Sequence, residues 1–360
     1  MPPIDAPIKA EALNRTDRPH GEGGDWIIEP LRGWHLPHLS DPAFQPFLPL
    51  LQRSLLLALP EKVLSSLEAP GLRRHRVLVA LAPGHTKTVL GLIISRALNR
   101  RRTCWQICHL RLASVSLASV SRLDVTAALV RQAIGANQTA ASWVARASSL
   151  DLTRLTALRE AGFQPQLRED LWCWHPPANA APQEALPSGL QLLPLQPRLL
   201  PLLWHLEQAT TPAPLRQLLD RRLDDLRGAG ACWLVIDPSR DQAVASLRHL
   251  GLHPQGGHEL DLRLHPARGD LQSRLLGLLL ARYTRSDVCW LRADRSDLGR
   301  RSWLEGMGAQ LQGDEVLMAR SVWRRQARRD RAHPVGRLEA VIQQLQPRRA
   351  PLPTPSTAPW

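Results

Sequence analysis

Residues 143–166 read WVARASSLDLTRLTALREAGFQPQ, and the phrase comes back twice, as WLVIDPSRDQAVASLRHLGLHPQ over 233–255 and WLRADRSDLGRRSWLEGMGAQLQ over 290–312. Each copy is a short apolar run, a polar break, an amphipathic stretch ending in Gly162, Gly251 or Gly308, and a further apolar run. That pattern predicts strand, helix, strand. Asp151, Arg154, Leu158, Gly162, Gln166 and Glu169 of the first copy recur in the third as Asp297, Arg300, Leu304, Gly308, Gln312 and Glu315. Asp151 stands where a helix N-cap belongs and Gly162 where a left-handed residue ends a helix. A repeated supersecondary unit sets the architecture before any other feature does.

Working outward, the first half predicts a strand over 26–31, apolar residues at helical spacing over 43–67 broken at Pro60, a hairpin of 76–82 with 88–96 around APGHTK, and a strand over 103–112. A helix over 122–135, a strand over 142–147, a helix over 152–161 and a strand over 167–174 follow. APGHTKT lacks the spacing of a phosphate-binding P-loop and sits between strands, so a plain hairpin is expected. The second half predicts a strand over 202–207, a helix over 214–227, a strand over 231–237, a helix over 241–250 and a strand over 258–264. Helix 271–283, strand 288–292, helix 298–307 and strand 315–322 complete it. The expected fold class is α/β (α+β): a mixed, mostly antiparallel sheet flanked by helices, duplicated in two domains. The expected boundaries are a disordered N-terminus over 1–24, domain 1 over 25–175, a Pro-rich linker over 176–200, domain 2 over 201–325, and a basic segment and disordered tail over 326–360.

Composition narrows the function classes. The chain has 360 residues, 44% of them hydrophobic, which is enough for two cored domains. Its net charge is +14, yet Lys9, Lys62 and Lys87 are its lysines among 46 basic residues. So strong an arginine bias, with abundant Leu, Ala and Pro, reads as codon usage rather than as a dedicated nucleic-acid face. Five cysteines make no disulfide framework. Cys104, Cys108 and His109 share one apolar run with no second ligand pair in register, so no metal is expected. Residues 1–24 are polar and broken by Pro and Gly, and no apolar run of about 20 residues is present to span a bilayer. A cytoplasmic protein with no membrane partner is the resulting expectation.

The order strand, helices, hairpin, strand, helix, strand, helix, strand, with LREAGFQP closing the last helix, resembles the GNAT superfamily of acyl-CoA-dependent N-acyltransferases. The resemblance spans most of 25–175 and more loosely 200–325, so the chain looks like a tandem of two GNAT-like domains. It implies acetyl-CoA or another acyl-CoA as co-substrate and an amine acceptor, a small molecule or a protein. It also implies that the cofactor's pantetheine arm lies where the fourth strand splays from the fifth, beside Leu110, Arg111 and Leu112. The family's pyrophosphate loop, [RQ]-x-x-G-x-[GA], is matched by Arg122 to Ala127. Arg122 and the small Ala127 agree with it, while Val125 replaces the first Gly and Asp124 adds negative charge. Many family members carry a Tyr where this chain has Leu158, Leu247 and Leu304. His109, on the strand lining the acceptor side, and Glu169 are the candidate general bases.

Two other classes compete with the enzyme: a GNAT-like scaffold that binds or assembles without chemistry, and a basic nucleic-acid-associated protein using Arg324 to Arg331. The second predicts affinity that falls steeply with salt. It is disfavoured by a single tyrosine and three phenylalanines, since base-stacking platforms need exposed aromatics.

Overall fold

Alternating and continuous apolar runs both become strands here, because the sheet they build is covered by helices on its two faces. The computed structural model describes residues 26–56, 75–82, 88–114, 121–176, 186–227, 231–271, 280 and 288–321. The first half supplies β1 (Ile27–Pro30), β2 (His75–Leu81), β3 (Val89–Ala97), β4 (Cys104–Leu112), β5 (Ser142–Ser148) and β6 (Gln164–Trp174). The second supplies β7 (Gln191–Pro194), β8 (Cys232–Asp237), β9 (Gln242–Leu252), β10 (His258–Leu264), β11 (Cys289–Asp294) and β12 (Gln310–Ser321). The helices are α1 (Leu48–Leu56), α2 (Arg122–Gly135), α3 (Leu152–Glu160), α4 (Leu200–Thr210), α5 (Ala213–Leu219) and α6 (Leu298–Gly306).

All twelve strands form one sheet in the order β1-β2-β3-β4-β5-β12-β6-β11-β10-β9-β8-β7. Read inward from either edge, the two halves run identically for five strands. The last strand of each half then crosses into the other: β12 lies against β5, and β6 lies against β11. Arg146 is opposite Leu317 in the first of these pairings, and Arg292 is opposite Leu171 in the second. Where β6 and β12 meet, Glu169 stands opposite Glu315. The sequence repeat is therefore a pseudo-twofold centred on that pair. Neighbours are antiparallel throughout except β4 with β5 and β10 with β11, which are parallel.

Side-chain alternation sorts the core onto two faces. Under α2 and α3 lie Trp143, Ala145, Ala147, Val316 and Met318, with Leu155 and Leu158 from α3. Farther along the same face Trp172, Leu247, Leu262 and Leu291 pack on Leu304 of α6. On the opposite face α1 covers Val77, Val79, Leu92 and Ile94. There α5 places Leu215 against Val144 and Leu317, and α4 covers Leu234, Ile236 and Ala243.

Most predicted elements of the first half are found, with α2 at the expected residues. Asp151 caps α3 by accepting from the Arg154 N–H at 2.9 Å, and Gly162 has φ +83°. The second half corrects four expectations. Residues 241–250 form strand β9 rather than a helix: Ala243 to Leu247 are all buried between helices on both faces, and such a run carries no period. The middle copy of the repeat is thus a hairpin, the counterpart of β2 and β3. Residues 202–207 belong to helix α4 rather than a strand, because Leu199, Leu203 and Leu206 recur at helical spacing and Pro201 occupies the first turn, where no N–H is needed. The helix expected over 214–227 stops at Asp220, which is left-handed with φ +42°, and a 3-10 turn follows at Leu223–Leu226. The stretch read as a linker contributes β7 to the sheet edge. The helix expected over 271–283 lies largely outside the described residues, as do the APGHTK turn's tip, the two ends of the chain and the basic run Arg324 to Arg331.

Candidate functional site

A parallel strand pair that parts company leaves one backbone edge without a strand partner, and among the described residues β4 has such an edge. It pairs with β5 over Cys104 to Ile107, while its pairing with β3 continues to Leu112. Trp105 and Trp143, register partners, stack with ring centroids 5.8 Å apart at the closed end of the wedge. Immediately beyond, Ser95 is opposite Ile107 and Ile94 opposite His109, so Cys108 is the extra residue of a β-bulge on β4. Bulges bend a strand and end its pairing, and this one starts the splay.

The predicted residues distribute around the wedge as follows. His109 and Arg111 face the 3-10 turn Gln45–Phe47 that leads into α1: the His109 ring lies 4.8 Å from Phe47, and the Arg111 guanidinium lies 5.3 Å over the same ring. Burial, with the positive charges of Arg111 and Arg154, pulls His109 down to about 3, so its imidazole is neutral at any working pH. Leu110 and Leu112 turn to the face under α2. Leu112 fits only because β3 has Gly91 beside it; a Cβ there would come within 2.7 Å of Leu112 Cδ2 and 3.0 Å of the Arg111 carbonyl.

The start of α2 stands at the open end of the wedge. Arg122 Nη1 donates to the carbonyl of Ala113, just past β4, at 3.4 Å. Ser121 caps the helix, accepting from the Asp124 N–H at 3.3 Å, and the Val125 N–H donates to the Ser121 carbonyl at 3.2 Å. The Val125 and Ala127 side chains are buried in the core. Among the described residues, the backbone donors left without a partner at this end are those of Arg122 and Leu123 rather than of Val125 or Ala127. Glu169 is not beside His109: it is held by Arg146, with Nε to Oε2 at 2.6 Å and Nη2 to Oε1 at 3.3 Å.

One residue at the wedge was recognised in sequence only as part of the repeat. Arg154, in the first turn of α3 and one turn before Leu158, is 9% exposed, and its Nε is buried without a partner among the described residues. Burial and the charge of Arg111 weigh against its own charge, while Asp151, Glu315 and Cys108 favour it. The signal was a charged residue on the apolar face of an amphipathic helix, at a position kept by the repeat as Arg300.

The second half builds the same wedge differently. β10 pairs with β11 over His258 to Leu260, but the extra residue in its pairing with β9 is Leu250 on β9, leaving β10 regular. Arg300 Nη1 donates to the Leu262 carbonyl on the splayed part of β10 at 2.9 Å, and Arg292 of β11 is ion-paired to Glu259 of β10. Arg268, in the segment matching the phosphate loop, is held by Asp237 at 3.4 Å. Among the described residues no three His, Cys, Asp or Glu side chains are placed to hold a metal, and no helix is long and apolar enough to cross a membrane.

No protein-family model matches the chain, and no curated protein does. Solved structures do. A tandem GNAT protein from the clavulanic acid biosynthesis pathway matches with TM-score 0.51 and 13% identity, over 82% of this chain and 98% of that one. A GCN5-related N-acetyltransferase from Sphaerobacter thermophilus matches with TM-score 0.50 and 13% identity, over 82% and 96%. A Drosophila protein matches with TM-score 0.50 and 13% identity, over 83% and 99%. Identities at that level speak for fold alone. The splayed β4, its bulge, the helix that follows and the duplicated order in one sheet agree with them: this chain has a tandem GNAT fold.

Proposed function

We infer that the chain is an acyl-CoA-dependent N-acyltransferase whose working site is the wedge of the first half, with an amine attacking the thioester directly. The observation that carries this reading is the bulge at Cys108, which frees the edge of β4 from Cys108 to Leu112 immediately before a helix N-terminus. The residues present suit an acyl-CoA. Backbone groups of Leu110, Arg111 and Leu112 are available to amides of a pantetheine arm, and the α2 end offers Arg122 and its first N–H groups to a pyrophosphate. The thioester supplies an activated acyl group. Asp124 works against anion binding in that first turn, which is one reason to expect weaker affinity than a Gly-rich loop confers.

The chain's own contribution is chiefly placement. His109 is a neutral acceptor on the acceptor side, but burial makes it a weak base, and Glu169 is engaged by Arg146. Leu158, fully buried, has no proton to give a departing thiolate. Orientation of the two reactants, worth roughly 7 kcal/mol or more in favourable geometries, then carries the rate. The same Leu158 favours a second reading, a scaffold that keeps the fold without turnover.

Calorimetric titration of the full chain with acetyl-CoA tests the proposal. Saturable binding that Arg122→Ala weakens several-fold, with thiol release on adding amines, is expected. Absence of binding at millimolar acetyl-CoA overturns it.

A further inference from the structure

Guanidinium groups are rarely buried without acceptors, because desolvating the charge is costly unless something compensates for it. Arg154 is such a group: nine-tenths buried, with no side-chain hydrogen bond or ion pair among the described residues. Nearby carboxylates do not pair with it. Asp151 is used as the α3 cap, and Glu315 is bound by Arg292 at 2.8 Å. Arg111, the other cation close by, works against it. Burial and Arg111 pull Arg154 down to about 10 despite Asp151 and Glu315, which marks a site short of negative charge. Its repeat counterpart is left less isolated: the Arg300 Nε is likewise buried without a partner among the described residues, but its Nη1 donates to the Leu262 carbonyl at 2.9 Å.

The repeat places Arg154 toward the splayed part of β4, since its counterpart Arg300 reaches the Leu262 carbonyl on the splayed part of β10, and there an acyl group and an amine would meet. A planar fork of N–H donors is built for the two oxygens of a carboxylate. We propose that Arg154 is a carboxylate anchor inside the wedge, binding a carboxylate carried by one of the two reactants: the α-carboxylate of an amino-acid acceptor or the distal carboxylate of a dicarboxylic acyl thioester. Identifying the carboxylate's carrier rests on the acyltransferase reading. The anion site itself does not.

Calorimetry on the full chain separates the sources. Acetyl-CoA is compared with malonyl-CoA and succinyl-CoA, and N-acetyl-L-alanine with N-acetyl-L-alaninamide, in the native chain, Arg154→Gln, Arg154→Lys and Arg300→Gln. The expected result is a preference for the carboxylate member of at least one pair by about tenfold, lost in Arg154→Gln, partly kept in Arg154→Lys and unchanged in Arg300→Gln. Preference within the thioesters assigns the carboxylate to the acyl donor, and preference within the alanine pair assigns it to the acceptor. Removing an unpaired buried charge should leave the melting temperature of Arg154→Gln unchanged or higher. Equal affinities within both pairs in the native chain overturn the proposal, as does discrimination that survives Arg154→Gln. Failure of every thioester to bind while the alanine pair still depends on Arg154 defeats the acyltransferase reading and leaves the anchor standing. Failure of both defeats both.

Discussion

Glu169 and Glu315 stand opposite each other across β6 and β12, so the two exchanged strands meet with like charges face to face. Each is neutralised by an arginine that reaches over the intervening strand. Arg146 of β5 crosses β12 to bring its Nε 2.6 Å from Glu169, and Arg292 of β11 crosses β6 to come 2.8 Å from Glu315. The pseudo-twofold is thus tied together by two crossed ion pairs, one drawn from each half's fifth strand.

Removing one arginine should expose the repulsion that the pair conceals. Arg146→Met is expected to destabilise the chain by about 3 kcal/mol, the low end for a buried pair, because Arg146 keeps some contact with water. Adding Glu169→Gln should recover part of that loss. Urea unfolding of the single and double variants measures the coupling. Strict additivity would mean that the two side chains do not act as a pair.

The repeat predicts matched costs at its caps. Asp151→Ala and Asp297→Ala each remove an acceptor 2.9 Å from the N–H three residues on, and each should cost about 1 kcal/mol. Thermal melts of the two variants should shift alike. A cap that matters in one half only would show that the other helix is held by packing alone.

Stability should fall as the solution is acidified through the histidine range. His109 is neutral in the folded chain down to about 3, with burial as the first cause, whereas the unfolded chain protonates it near 6.5. Its contribution is complete above pH 6.5 and is lost at about 1.4 kcal/mol per pH unit below that, until the folded pKa is reached. Comparing urea midpoints at pH 7 and pH 5 for the native chain and His109→Gln isolates the His109 share of the slope; the variant keeps the share of His75, which burial also pulls down, to about 4.

Gly91 controls the shape of the wedge from the neighbouring strand. Gly91→Ala puts a Cβ 2.7 Å from Leu112 Cδ2, which should cost about 1–3 kcal/mol by overpacking. Because Leu112 ends the free edge of β4, acetyl-CoA affinity should drop further than Gly135→Ala, an open position on α2, makes it drop. Equal affinities in the two variants would detach the β4 edge from the binding site.

How much of this was legible in advance differs between the halves. In the first, period and punctuation agree: Asp151 and Gly162 mark the ends of α3, and α2 spans the residues its pattern implies. In the second, QAVASLRHL has the composition of a helix and becomes β9, because a strand covered on both faces loses the alternation by which strands are recognised. At the site, the strand carrying Leu110 to Leu112 and the helix beginning at Arg122 could be read from order alone. The bulge at Cys108, the Arg146–Glu169 pair and the isolation of Arg154 could not.

The sequence by itself determined the repeat, the helix ends, which residues of most strands are apolar, and through these a duplicated α/β architecture. Local propensity and burial period act over a few residues and are written where they act. Tertiary structure decided that β6 and β12 change places, that Glu169 is neutralised by Arg146 rather than free to act as a base, and that Arg300 finds the Leu262 carbonyl while the Arg154 Nε has no partner among the described residues. Each of those outcomes depends on which strand lies beside which, a choice made by the summed packing of segments far apart in the chain, and no single segment records it.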